Sequence, residues 1–192
     1  MTRTNLLAVV VLAALVGCAS QRTPQLVDVC SGAIEARGAS YEGVIFPSHC
    51  GPLVIVALPD KVESYWQPTP ENIATLEARL PRALELGRAA PNAINRYAAE
   101  SPRRAAQVAE EIGTVLSRLP SYRRQYIGVA YRSGHRRILV NCFPSAIEGR
   151  PDGFSYWKQQ WVAVEDGGTS YWHIQYDIVE DQFADFEANG VA

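Results

Sequence analysis

The hydrophobic period of this chain changes at Pro120, and that change limits the fold more than any single residue does. Before Pro120 the apolar residues recur at helical spacing; after it they alternate or form short blocks bounded by turn residues. Thr69-Pro70-Glu71 supplies a capping hydroxyl, a proline at the first helical position and an acid in the first turn, so a helix starts there. Ile73, Leu76, Leu80 and Leu84 form its apolar stripe, and Pro81 within it predicts a kink or two shorter helices. Ser101-Pro102 starts another, whose stripe of Val108, Ile112, Val115, Leu116 and Leu119 ends before Pro120.

Beyond Pro120 the pattern reads as strands. Tyr126 to Tyr131 and Arg136 to Phe143 flank the turn Arg132-Ser133-Gly134-His135, and Gln159 to Glu165 and Ser170 to Val179 flank Asp166-Gly167-Gly168-Thr169. Phe183, Phe186 and Asn189-Gly190 suggest a last short strand and turn. Upstream, Tyr41 to Pro47 and the apolar run Leu53 to Leu58 read as strands around the Pro47 to Pro52 turn, the second of them buried. The expected fold class is α+β. An antiparallel β-meander of four to five strands fills the carboxy-terminal half, packed by two or three helices from residues 70–119, with the opposite sheet face left wet.

The amino terminus carries Arg3, an apolar stretch from Leu6 to Val16, and the ending Leu15-Val16-Gly17-Cys18. The stretch is too short for a spanning helix, which needs about 20 residues, and Leu15-Val16-Gly17 fits an ordinary small-x-small cleavage site poorly. The ending resembles the lipobox of bacterial lipoproteins. That resemblance implies removal of a signal peptide, residues 1–17, and lipidation of Cys18 with palmitate-type acyl chains that hold the protein on a membrane. Ala19 in place of an aspartate implies, for a Gram-negative cell, transfer to the outer membrane with the body facing the periplasm. Residues 18–25 then form a lipidated tether and residues 26–192 a single periplasmic domain, long enough for its own core.

With Cys18 taken by lipid, Cys30, Cys50 and Cys142 remain in an oxidising compartment, which suggests one disulfide and one spare thiol. Cys30 with Cys50 is the first choice and Cys50 with Cys142 the rival; Cys142 also reads as a core residue of the run Ile138 to Phe143. The net charge of −2 is too near neutral to suggest a nucleic-acid partner. Its distribution is uneven: Arg79 to Arg137 contains twelve arginines against four acids, and Glu148 to Ala192 nine acids against two basic residues. The two regions should pair with each other, or leave a basic face for an acidic partner.

No nucleophile elbow, phosphate loop, zinc-protease helix or Cys-x-x-Cys pair is present, and nothing calls for a metal or a cofactor. His49 and Cys50 are adjacent on a turn and do not read as a catalytic pair. Tyr171, His173, Gln175 and Asp177 alternate on one face of a strand, forming either a ligand surface or simply the wet side of a sheet. Glu165 and Asp166 with Asp177 could supply paired carboxylates for glycoside hydrolysis. The segment Pro144 to Lys158 is long for a connection and holds Gly149, Arg150, Pro151, Asp152 and Gly153. Its aromatic pair, Tyr156 and Trp157, would either stack on a glycan or protein partner or fold back over the core.

The run Asp166-Gly167-Gly168-Thr169-Ser170-Tyr171-Trp172, with Tyr176-Asp177, Phe186, Asn189-Gly190-Val191-Ala192 and Arg124-Gln125-Tyr126-Ile127-Gly128, resembles a group of bacterial exported proteins. No activity is attached to that group, so the resemblance implies export and a shared fold only. In shape the plan resembles helix-on-meander folds of the cystatin type. The expected function is that of a lipid-anchored periplasmic binding or interaction module for an envelope protein or peptidoglycan. The alternatives are a cell-wall hydrolase using His173, Asp177 and Glu165, or an inhibitor or immunity-type lipoprotein against such an enzyme.

Overall fold

Two α-helices, α1 (Pro70–Ala89) and α2 (Pro102–Ser117), precede the main strands. The computed structural model describes residues 30–54, 56–147 and 153–190; the leader, Cys18, Ala19 and the tether lie outside them, as do Gly149, Arg150, Pro151 and Asp152. At the start of α1 the Thr69 hydroxyl accepts from the Asn72 amide at 3.2 Å while Asn72 Oδ1 accepts from the Thr69 amide at 3.0 Å, a reciprocal cap. Pro81 does not divide the helix, contrary to one of the two expectations: α1 runs unbroken to Ala89, with Pro81 exposed to solvent. Ile73, Leu76, Leu80 and Leu84 are buried, as are Val108, Ile112 and Val115 of α2.

Seven strands form one sheet: β1 (Ile34–Arg37), β2 (Glu42–Ile45), β3 (Val62–Trp66), β4 (Tyr122–Tyr131), β5 (Arg136–Pro144), β6 (Trp172–Asp177) and β7 (Gln182–Ala188). The order is β1-β2-β4-β5-β6-β7, with β3 also against β4. From β4 to β7 the strands make the antiparallel meander, so the fold is α+β. The sheet as a whole is mixed. One flank of β4 carries β5; the other is shared by β2, parallel to residues 123–126, and β3, antiparallel to residues 128–131.

Three expectations need correction. The run Leu53 to Leu58 forms no strand among its described residues: Leu53 ends a 3-10 turn, and Val54, Val56 and Leu58 pack sideways onto the core. Its hydrophobicity serves burial without ladder pairing, because β2 and β3 already occupy the available flank of β4. Gln159 to Glu165 is likewise not a strand, and no hairpin joins it to β6. Instead residues 154–164 cross the sheet face, and β6 pairs directly with β5.

That crossing overturns the wet face. One face of the sheet packs Tyr126, Ile138, Val140, Trp172, Ile174 and Phe186 against the helices. The other packs Ile127, Val129, Leu139 and Phe143 against Trp157, Trp161 and Val162 of the crossing segment. Side-chain amides fasten it: Gln125 Nε2 donates to the carbonyls of Trp157 (2.6 Å) and Gln160 (2.7 Å), and its Oε1 accepts from Val162 N at 2.8 Å. Asn141 Nδ2 donates to Val162 O at 2.8 Å and to Gln125 Oε1 at 3.1 Å. Two amides do here what a neighbouring strand would otherwise do.

A buried ion pair joins α1 to β4. Glu77 Oε1 lies 2.9 Å from Arg124 Nε and accepts from Tyr126 Oη at 2.7 Å. Arg124 also donates to the carbonyls of Tyr122 (2.9 Å) and Leu119 (3.2 Å). Burial pushes the Glu77 carboxyl up, against the opposing pull of Arg124 and the Tyr126 hydroxyl. The basic and acidic regions of the sequence do meet: Arg79 pairs with Asp181, Arg96 with Asp185 at 3.7 Å, and Arg137 with Asp177 at 3.4 Å and Asp185 at 2.8 Å.

A disulfide joins Cys30 to Cys50, whose Cα atoms are 5.8 Å apart. Cys142 is a free, buried thiol in the core beneath the helices, where burial pushes its pKa upward.

Candidate functional site

Of the alternating set, His173, Gln175 and Asp177 are buried on β6, while Tyr171 precedes the strand and is half-buried. Gln175 is a core group whose Oε1 accepts from Tyr131 Oη at 2.7 Å. Asp177 closes the β6 to β7 turn, accepting from Val179 N (3.0 Å) and Glu180 N (3.1 Å), and meets His135 Nδ1 at 2.9 Å. Burial alone would raise its carboxyl; the backbone amides of Glu180 and Val179, then His135 and Arg137, outweigh that and hold it below the ordinary range. Its two oxygens are thus taken up by the turn, by His135 and by Arg137. Tyr156 is 42 % exposed and edge-on to Phe154 at 6.0 Å. Trp157 is 4 % exposed and folds back over Phe143, with the Arg123 guanidinium 5.1 Å from its ring centre. Trp157 thus folds back over the core, while Tyr156 stays exposed.

His173 faces a cavity. It is 8 % exposed, yet its imidazole takes part in no hydrogen bond; Glu187 Oε2 lies 3.7 Å from Nε2, beyond hydrogen-bond reach. Burial, with Arg96 adding to it, lowers its pKa to about 4, so the ring is neutral at pH 7. The ring borders a cavity of about 200 Å³ together with Asn141, Ala163, Glu165, Tyr171 and Glu187. Glu165 is exposed at its mouth.

A bulge puts Glu187 there. Ala184 faces Gln175, but Glu187, not Phe186, faces His173, so one extra residue of β7 lies between these pairs. Asp185 takes the left-handed conformation at φ 52°, which aspartate tolerates, and its carboxylate is held by Arg137 and Arg96. The added residue turns Phe186 into the core under the helices and Glu187 onto the face of His173. At the far side of the cavity Gly167 and Gly168, at φ 106° and 53°, turn the crossing segment back into β6, and Asn189 Nδ2 donates to Val164 O.

Other cavities offer less chemistry. One of about 640 Å³ between α1 and β7 is lined by Leu86, Ile94 and Phe183, and its rim charges are already paired, Arg79 with Asp181 and Arg82 with Glu85. Among the described residues no group of three or more His, Cys, Asp or Glu side chains could hold a metal ion, and no helix is long and apolar enough to cross a membrane. Sequence reasoning reached His173 and Glu165 but missed Glu187 and Asn141. Comparison with known proteins finds no matching family model, no similar curated protein and no similar solved structure.

Proposed function

We propose that this is a lipid-anchored envelope protein, held through Cys18 on the periplasmic face of the outer membrane, which binds a ligand group in the cavity beside His173. One observation carries the binding reading. Buried polar side chains are nearly always hydrogen-bonded, and His173 is buried without such a bond at the wall of an open cavity. An imidazole set against an open cavity with no protein partner is available to bond a docked group in place of water. The anchoring part of the proposal rests on Leu15-Val16-Gly17-Cys18.

A hydrolase acting on cell-wall glycan or peptide is the second reading, favoured by His173 and Glu165 bordering one cavity. It lacks the third residue expected of it, because Asp177 is tied to His135 and Arg137. Turnover of purified peptidoglycan, lost on His173→Gln, would establish it in place of simple binding.

Fatty-acid labelling in growing cells tests the anchor. Cys18→Ser is expected to abolish the label, retain the leader and shift the gel mobility. Unchanged mobility and membrane fractionation of this variant, with no label on the parent protein, would refute lipidation.

A further inference from the structure

We infer that the cavity beside His173 recognises a protonated amine, taken as the terminal group of an aminoalkyl chain. This rests on the binding reading above and names its ligand. Among the lining side chains the charged groups are carboxylates, set among apolar residues such as Val56, Val162 and Val164, with Tyr171 and Asn189 also on the wall. Asn141 has committed its Nδ2 to Val162 and Gln125, so what it can present is its carbonyl oxygen. Glu187 and Glu165 bring two carboxylates, and no lysine or arginine is among the described lining residues. An ammonium group carries three donors and no acceptor, the complement of such a wall.

His173 completes the match. It is nine-tenths buried with no hydrogen bond of its own, and being neutral it can accept a proton-bearing donor without repelling a cation. The groups facing it are Glu187 on β7, and Arg96, which is spent on Asp185 and does not border the cavity. Size sets the rest. A cavity of about 200 Å³ is smaller than the roughly 300 Å³ at which pockets for drug-sized molecules begin. It therefore takes the end of a chain and leaves the remainder outside, past Ala163 and Glu165.

Such an amine can come from a free diamine or from the side chain of a peptide. The test follows the His173 ring resonances of the full-length protein at pH 7 during titration with cadaverine, Nα-acetyl-lysine amide, its Nε-acetylated counterpart, 1,5-pentanediol and glutarate. The two amines are expected to shift the His173 signals saturably, and Nε-acetylation to abolish the effect. Glu187→Gln should weaken binding about tenfold or more, the loss expected for one charge-assisted hydrogen bond. Glu165→Gln, at an exposed position, gives an independent variant whose folding is not at risk. Response to cadaverine alone assigns a free diamine, and response to the lysine derivative a peptide-borne amine. If the diol or glutarate shifts His173 and the amines do not, the ligand class is wrong while the binding site stands. If no probe shifts it, both readings fall.

Discussion

Arg124→Met is expected to destabilise the protein by about 3–5 kcal/mol, the usual cost of leaving a buried carboxylate without its partner. Glu77 is almost wholly buried between α1 and β4, and without the guanidinium only the Tyr126 hydroxyl would remain to it. The carbonyls of Tyr122 and Leu119 lose their donors in the same substitution. Glu77→Gln added to Arg124→Met removes the orphaned charge while keeping an acceptor for Tyr126, so the double variant should regain part of the loss. Urea unfolding followed by tryptophan fluorescence measures both. A single variant within about 1 kcal/mol of the parent, the range of exposed pairs, would mean that water reaches this ion pair.

The second large effect is a pH dependence centred on His173. Its pKa falls from 6.5 in the unfolded chain to about 4 in the fold, so between those values the unfolded state binds the proton and the folded state does not. The stability that the neutral ring represents is complete above pH 6.5 and is lost as pH falls towards 4. At 1.36 kcal/mol per unit the loss is about 3 kcal/mol. The parent protein should therefore lose about that much more stability between pH 7 and pH 4 than His173→Asn. Parallel stability profiles for the two proteins would show that the ring is not held neutral.

Much of the architecture was legible in the residues. Helix starts at Thr69-Pro70 and Ser101-Pro102 were local events of capping and proline geometry, and they appear where those residues stand. Strands that gain their partners by hairpin, β4 with β5, were legible for the same reason. What escaped was set by distant partners. An apolar run such as Leu53 to Leu58 has the same composition whether it pairs in a ladder or packs sideways, and only the occupancy of β4 by β2 and β3 decides. The crossing segment escaped because Gln125 and Asn141, polar residues in strands, gave no sign that they would hold a backbone across a sheet.

The candidate site had one signal that could have been read. Phe183 and Phe186 both reach the core under the helices, yet residues three apart on a regular strand face opposite sides. An odd spacing between two core aromatics demands a bulge, and a bulge moves every later side chain to the other face. Glu187 could have been placed beside His173 on that ground. The emptiness of the ring's hydrogen-bonding positions was not legible at all, since it depends on where Glu187 stops.

The junction at Cys30 has a mechanical consequence. Cys30 N donates to Gln159 O at 2.9 Å, and Cys30 is bonded to Cys50. A pull on the preceding residues would reach the body at a point where two routes lead inward, the backbone through β1 and the covalent shortcut to Cys50. Edge strands such as β1 peel easily when tugged from one end, because their hydrogen bonds break one at a time. Here the loop containing β1 and β2 is closed on itself, so tension divides between the strand and the sulfur bridge, and peeling stops at the bridge.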